Sequence, residues 1–220
     1  MRFETKRSIL HLFFPTRCPV CGEIIGAMDR FCTSCSDKLK EFDENFTIDG
    51  ADSFTAVYEY DDTAKKVVFL LKDGTCGNAA YALGGALAEK LKALKMSEKA
   101  DIIVPTPMYR KDIFKRSYNQ SLLIAREISR QLNIPVEKNA VFKIRRTQAQ
   151  KDLDSLKRSL NLKGAFSADN SKLKGKRVLI VDDICTTGST LRELTAVILK
   201  NGAVSVHCAC CCKTMKKRRD

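Results

Sequence analysis

The stretch VLIVDDICTTGST (residues 178–190) constrains the fold of this 220-residue chain more than any other. Its four branched apolar residues indicate a strand that is buried on both faces, as in the middle of a parallel sheet. Asp182 and Asp183 follow at the carboxyl end, where open α/β sheets bind their ligands. A short loop of threonine, glycine and serine then leads into a predicted helix. The stretch therefore predicts a parallel α/β sheet with a ligand site at this strand end.

The loop after the two aspartates has the composition of a phosphate site. Its backbone N–H groups, the dipole of the following helix and its hydroxyls can converge on one anion, and Gly188 permits a close backbone approach. The two carboxylates would repel that phosphate, so they fit the hydroxyls of a ribose or a magnesium ion instead. We interpret the stretch as a sugar-phosphate site; an ordinary helix-capping turn is the simpler alternative. The candidate binding residues are Asp182, Asp183, Cys185, Thr186, Thr187, Gly188, Ser189 and Thr190.

The rest of the second half alternates between strand and helix patterns, which predicts a mainly parallel central sheet flanked by helices. Strand patterns occur at residues 53–60, 101–107, 140–144, 177–183 and 203–211, and helix patterns at 63–72, 78–95, 119–133 and 189–202.

The cysteines near the start of the chain form two C-x2-C pairs. Cys18 and Cys21 make the first pair, and Cys32 and Cys35 make the second. Two such turns place four thiolates around one centre, and a site with all four positions filled by sulfur is suited to structural zinc. Four reduced cysteines in a small core, or an iron site, are the alternatives. We expect residues 1–45 to form a zinc-ribbon-like module with a short N-terminal helix, and residues 46–220 to form the α/β domain.

The remaining cysteines lack metal-binding spacing. Cys76 and Cys185 are single, whereas four more lie on or just after the last predicted strand. Strand alternation places Cys208, Cys210 and Cys212 on one face, as small buried residues, with Cys211 on the other. A second metal site there is the alternative.

The formal net charge of +13 is uneven, because residues 101–220 carry twenty-five basic and eleven acidic side chains. Such an excess favours an anionic partner, either the phosphates of a small molecule or a nucleic-acid backbone, although a solvated basic surface would look the same. No apolar run is long enough to span a bilayer, and the start of the chain does not resemble a signal peptide. We therefore expect a cytoplasmic protein that does not insert into membranes.

Residues 178–190 resemble the motif with which type I phosphoribosyltransferases bind 5-phosphoribosyl 1-pyrophosphate (PRPP). Over nearly its whole length the chain is similar to the ComF family, also called ComF/GntX, whose members join a four-cysteine zinc module to a type I phosphoribosyltransferase domain. The segments that carry this resemblance are CPVCG, FCTSC, LLKDG, VPTPMYRKDIFKRSYNQ and RRTQAQKDLDSLKRSLNLKGAF. One departure is Ser117, where the family usually has glycine, and serine is the more costly residue if φ is positive there.

The resemblance implies roles for several further residues. The loop 105–110 would hold pyrophosphate, and residues 145–164 would form a mobile loop that closes over the reaction. Asp182, Asp183, Arg110 and Arg146 are the implied catalytic residues. Implied PRPP contacts outside the aspartate loop are Lys72, Arg110, Arg116 and Gln150, with Arg145 and Arg158 reaching the pyrophosphate from above. The alternatives are that the arginines are surface residues and that Asn119 and Gln120 are helix caps.

Two classes of function remain open. In the first, the protein is a Mg²⁺-dependent enzyme that transfers phosphoribose from PRPP to an unidentified nitrogenous acceptor. His11 and His207 are poorly placed by sequence to activate that acceptor. In the second, which follows from the family's link to natural competence, it is a PRPP sensor, or it binds single-stranded DNA or a helicase partner during DNA uptake. The few aromatic residues among the basic ones argue against a stacking platform for single strands.

Overall fold

A computed structural model of the protein describes residues 2–73, 77–147 and 162–215. Four strands form a wholly parallel sheet in the order β1-β6-β5-β2, which confirms the predicted fold class. Their bounds are Ser53–Glu59 (β1), Ile102–Pro105 (β2), Arg177–Cys185 (β5) and Ser205–Lys213 (β6). Strand β5 lies between two neighbours, which explains why its first half is apolar on both faces.

A second, two-stranded sheet lies outside the parallel one. Strand β3 (Val141–Lys143) pairs antiparallel with β4 (Phe166–Ala168). The predicted strand at 140–144 thus exists, but it does not extend the main sheet. Val141 and Phe166 are buried together with residues of β5, so the small sheet packs on one face of the large one.

Helices cover both faces of the parallel sheet. The helices are α1 (Phe3–Phe13), α2 (Thr33–Ser36), α3 (Asp62–Asp73), α4 (Gly77–Ala93), α5 (Arg110–Arg116), α6 (Gln120–Leu132), α7 (Asn170–Leu173) and α8 (Ser189–Lys200), with a 3₁₀ turn at Met96–Glu98. One core joins a face of the sheet to α3, α4 and α6, and the other joins the opposite face to α7, α8 and the small sheet. None of the helices in the described part of the chain is long and apolar enough to cross a membrane.

The N-terminal module packs against α4. Asn78 donates to the carbonyls of Arg17 and Arg30 at 3.2 Å each, and the Tyr81 hydroxyl donates to the Met28 carbonyl at 2.9 Å. Arg30 also forms a two-pronged ion pair with Glu89 at 2.6 Å. These contacts fix the module on α4, and Phe31 also packs edge-on against Tyr58 of β1.

The cysteines of β6 are all buried, but their predicted alternation holds only in part. Cys208 and Cys210 belong to the core on one face, and Cys211 belongs to the core on the other. Cys212 packs with Cys211 instead of with Cys210. Burial raises the pKa of Cys208 to about 12, as expected for an inert core thiol.

Candidate functional site

Strand β5 carries both aspartates at its carboxyl end, because it continues through Asp182 and Asp183 to Cys185. The Asp182 Oδ1 atom accepts a hydrogen bond from the Ser121 hydroxyl at 2.9 Å and another from the Asp183 backbone N–H at 2.9 Å. Ser121 lies in the first turn of α6, so that helix fixes the orientation of the Asp182 carboxylate. Ser121 was not among the residues singled out from the sequence.

The second aspartate is held by a lysine from a distant helix. The Lys72 ammonium, in the last turn of α3, lies 3.1 Å from Asp183 Oδ2. The other oxygen, Oδ1, accepts the backbone N–H of Ile184 at 2.8 Å. The fold therefore brings Lys72, which the LLKDG resemblance implied as a PRPP contact, to the edge that carries the aspartates.

The two carboxylates differ in electrostatic surroundings. Burial of Asp182 and the negative charge of Asp183 raise the pKa of Asp182 to about 7, although Ser121 and Lys72 act in the opposite direction. A divalent cation or a pair of hydroxyl donors at this edge would stabilise the charged form.

Residues 186–190, called here the phosphate loop, follow β5 and include the first two residues of α8. The hydroxyls of Thr187 and Ser189 contact each other at 2.8 Å, and Gly188 adopts a left-handed conformation with φ of 79°. A Cβ atom at Gly188 would lie 2.6 Å from Ile48 Cδ1, so only glycine fits this packed turn. The first N–H groups of the twelve-residue helix α8 face the same loop, as at helix termini that bind phosphate.

A buried lysine lies beneath the phosphate loop and was missed from the sequence. Lys213, the last residue of β6, is 5% exposed, and its ammonium donates to the carbonyls of Thr186 and Thr214 at 2.8 Å each. The ammonium also lies 4.2 Å from the centre of the Phe46 ring. The sequence offered one signal for this role of Lys213, namely a basic residue at the end of the last strand.

The side chain of Cys185, one of the predicted PRPP contacts, is buried. It is buried in the same core as Leu191 and Ile180, and the contribution of Cys185 at this edge is its carbonyl, which accepts the Thr214 N–H at 3.0 Å. A hydrogen bond from Cys210, partly offset by burial, lowers the pKa of the Cys185 thiol, and Lys213 acts in the same direction.

The arginines implied as pyrophosphate ligands are spread around the edge. Arg110 begins α5 and Arg116 ends it, both exposed, and Arg146 pairs with Asp112 at 3.4 Å. Helix α5 was not predicted from the sequence. Gln150 and Arg158, and most of the predicted mobile loop, lie outside the described residues, as does Cys76.

Asn119 acts as a helix cap, which is the alternative considered for it from the sequence. Its side-chain oxygen accepts the N–H groups of Ser121 and Leu122 at 2.9 and 3.4 Å, while its amide donates to the Thr106 carbonyl. Two buried polar atoms lie nearby, Thr106 Oγ1 and Gln120 Nε2, and neither has a hydrogen-bond partner among the described residues. Buried polar atoms in this state mark places where a ligand or water completes the hydrogen bonding.

The four N-terminal cysteines form a second, separate site. The Sγ atoms of Cys18, Cys21, Cys32 and Cys35 all lie within 4.8 Å of one another, and those of Cys21 and Cys32 are 3.6 Å apart. Zinc–sulfur bonds of about 2.3 Å in a tetrahedron require sulfurs about 3.8 Å apart, so the residues fit structural zinc. Burial opposes ionisation of Cys18, but hydrogen bonds from the backbone of Cys32, Cys21 and Val20 lower its thiol pKa to about 7. In the described part of the chain, no other cluster of potential ligands is placed to hold a metal.

Comparisons with known proteins match the two ends of the chain to two different domain families. Residues 9–46 match the double zinc ribbon domain family, and residues 118–220 match the phosphoribosyl transferase domain family. The chain is 31% identical to the DNA utilization protein YhgH of Escherichia coli K12 over 91% of its own length and 85% of that protein. It is 38% identical to competence protein F of Haemophilus influenzae over 54% of this chain and 52% of that one.

The solved structures with detectable similarity include the following two. Glutamine PRPP amidotransferase from B. subtilis, complexed with ADP and GMP, is 23% identical with a TM-score of 0.42, over 60% of this chain and 25% of that one. The chain thus spans about a quarter of that structure. A purine phosphoribosyltransferase from Pyrococcus horikoshii is 26% identical with a TM-score of 0.36, over 60% and 71%. On the full-length similarity to YhgH and the two domain matches, the chain belongs to the ComF family, which joins a zinc ribbon to a phosphoribosyltransferase domain.

Proposed function

We propose that this protein binds PRPP together with Mg²⁺ and transfers the phosphoribosyl group to a nitrogenous acceptor, releasing pyrophosphate. The observation that carries the proposal is the pair Asp182–Asp183, which Ser121 and Lys72 hold in place directly before the phosphate loop. The 5-phosphate would bind to the loop and to the N-terminus of α8, and the ribose hydroxyls would face the aspartates. In this assignment residues 46–220 form the catalytic unit and residues 1–45 the structural zinc unit.

The chain's own residues would act mainly by positioning and by charge. Lys72 compensates the charge of Asp183, so that the two carboxylates can stay close together while they accept hydrogen bonds from a ribose. Bound Mg²⁺ would supply positive charge to the leaving pyrophosphate, and Asp182 and Asp183 offer the oxygen ligands that this ion prefers. Arg110, Arg116 and Arg146 are proposed to add fixed positive charge for the pyrophosphate, with Gln150 as a further contact.

The test is a pyrophosphate-release assay with PRPP, Mg²⁺ and a panel of nitrogenous bases and amines. We expect release with one acceptor class, and loss of at least 100-fold in kcat/KM for Asp183→Asn. Lys72→Met should also lose activity, because Asp183 then lacks its counter-charge. Lys66→Met, an exposed lysine on the same helix, is the matched control and should behave as wild type. Release that is equal in Asp183→Asn and wild type would refute the assignment.

A second candidate function is binding of single-stranded DNA, with PRPP as a regulatory ligand instead of a substrate, or with a helicase as partner. The names of the relatives, a DNA utilization protein and a competence protein, suggest a link to DNA uptake. The observation that favours it is Phe114, 83% exposed on α5, and Phe142, 46% exposed on β3, among basic residues, since exposed aromatic rings can stack on bases. A steep loss of affinity for an oligonucleotide with added salt, and again with Phe114→Ala, would support this function.

Four reduced cysteines suit a reducing compartment, so we place the protein in the cytoplasm.

A further inference from the structure

A cavity of about 570 Å³ lies next to the aspartate edge, between α5, the start of α6 and β3. Pro105, at the end of β2, and Asn119, the cap of α6, form its border with the PRPP site. Pro105 is paired with Val181 in the sheet, one residue before Asp182. The cavity is therefore adjacent to the place where the proposed ribose would lie, and it shares Pro105 and Arg110 with the loop proposed to hold pyrophosphate.

The charged groups that line this cavity are all basic. They are Arg110, Arg126, Lys138 and Lys143, and no carboxylate is among the lining residues. In the described structure, Arg110, Arg126 and Lys138 take part in no ion pair, whereas Arg30, Arg130, Arg177 and Arg192 each pair with an acid. The charge of Lys143 interacts with Asp112, which pairs with Arg146, and with Asp182. These carboxylates offset only part of the positive charge that the cavity concentrates.

The walls between these charges are apolar. Pro107, Met108, Leu122, Leu123 and Phe142 supply most of the remaining surface. Lys143 is half-buried, and its ammonium lies 5.8 Å from the centre of the Phe166 ring. A cavity with apolar walls and a basic rim complements a ligand with a flat apolar body and an anionic group.

We propose that this cavity binds the acceptor, and that the acceptor is an anionic aromatic or heterocyclic nitrogen compound, with a carboxylate held by the basic cluster. This inference rests on the proposed function. Pyrophosphate alone does not account for the cavity, since it has no apolar surface to place against Leu122, Leu123 and Phe142. The acceptor nitrogen would form a bond to the anomeric carbon as the bond from that carbon to pyrophosphate breaks. Pyrophosphate leaves with the electron pair, and the nitrogen loses one proton to solvent.

The test compares two probes of similar shape, anthranilate and 2-aminobenzamide, in which a neutral carboxamide replaces the carboxylate. We expect calorimetric titration of the zinc-loaded full chain to show anthranilate binding roughly tenfold or more tightly, as for charge-assisted hydrogen bonds. The double variant Arg126→Gln, Lys138→Met should reduce this preference to about twofold or less. Both side chains are exposed, so the variant keeps the core intact. Lys200→Met, an exposed lysine on α8, is the matched control and should keep the full preference.

The outcomes separate this inference from the proposed function. PRPP binding without any preference for anthranilate, or displacement of anthranilate by pyrophosphate alone, overturns the acceptor cavity and leaves the PRPP site standing. The protein could also fail to bind PRPP and still prefer anthranilate, with the preference lost in the double variant. In that case the cavity binds anions, and its assignment to an acceptor is overturned.

Discussion

The zinc module and the carboxyl edge of the sheet each bring several ionisable side chains close together, but different interactions hold these side chains in place. The four thiols lie between residues 18 and 35, and a bound zinc ion would supply the energy that holds them together. At the edge, Asp182 and Asp183 are held by Ser121 and Lys72, which come from two different helices. The comparison teaches that the cysteine site is stabilised by its metal. The positions of the two aspartates are instead fixed by the packing of the helices that carry Ser121 and Lys72, and holding the two carboxylates together costs electrostatic free energy.

The largest expected effect is the loss of the metal from the four-cysteine site. Cys18→Ser should lose the zinc, because three thiolates leave the tetrahedral site incomplete. Structural zinc contributes on the order of 10 kcal/mol to small domains, so residues 1–45 should lose their protection from hydrogen exchange. Metal analysis and exchange mass spectrometry measure both effects. Cys76→Ser, outside the two C-x2-C pairs, is the control, and one equivalent of zinc retained in Cys18→Ser would refute the four-cysteine site.

The next effect tests whether packing imposes the phosphate loop. Gly188→Ala places a methyl group in a left-handed turn and 2.6 Å from Ile48 Cδ1, and should cost roughly 2–4 kcal/mol of unfolding free energy. Gly175→Ala is a matched control, since Gly175 has φ of 71° but nothing within 4 Å of an added Cβ. Chemical denaturation should show the larger loss for Gly188→Ala. Equal losses would mean that Ile48 gives way and that the loop is not held by packing.

A smaller effect of opposite sign tests the electrostatic cost of the edge. The pKa of Asp182 is raised to about 7 in the folded protein, above about 4 in an unfolded chain, so the folded state binds more protons between these values. Stability should therefore fall as the pH rises from about 4 to 7. Asp182→Asn should remove that fall and stabilise the protein at pH 7.5 by about 1 kcal/mol or more, as thermal denaturation would measure.

Asp101 offers the contrasting case for the same measurement. Hydrogen bonds from the Arg177 side chain and backbone lower the pKa of Asp101 to about 2, so its contribution is present above about pH 4 and is lost as the pH falls toward 2. Asp101→Asn should therefore weaken the protein at neutral pH, whereas Asp182→Asn strengthens it. The same sign for both variants would contradict the electrostatic account of the edge.

The smallest expected change in stability concerns the backbone conformation at the end of α5, beside the candidate site. Ser117 follows α5 with φ of 64°, a conformation that favours glycine, and its N–H donates to the Ile113 carbonyl at 2.7 Å. Ser117→Gly should stabilise the protein by about 0.5–1 kcal/mol in urea denaturation. A loss of stability in Ser117→Gly would show that the serine side chain itself contributes to the stability of the folded protein.

The two sites also differ in how far the sequence predicts them. The zinc ligands follow from spacing alone, since a local turn brings each pair together. Residues 178–190 predict β5, the phosphate loop and α8, because an apolar strand, a left-handed glycine and a helix start are each local. Ser121 and Lys213 were missed, since only the sheet brings them to Asp182 and Thr186. Helix α5 escaped prediction because it is only seven residues long and its N-cap position holds Tyr109, which is not a typical capping residue.

The most direct test of the central claim is a calorimetric titration of the zinc-loaded protein with PRPP and Mg²⁺. Wild type should bind one equivalent. The double variant Asp182→Asn, Asp183→Asn should show no binding and unchanged zinc content, because the two sites are separate. Unaltered PRPP affinity in the double variant, or no binding by wild type, would contradict the assignment of the aspartate edge and the phosphate loop.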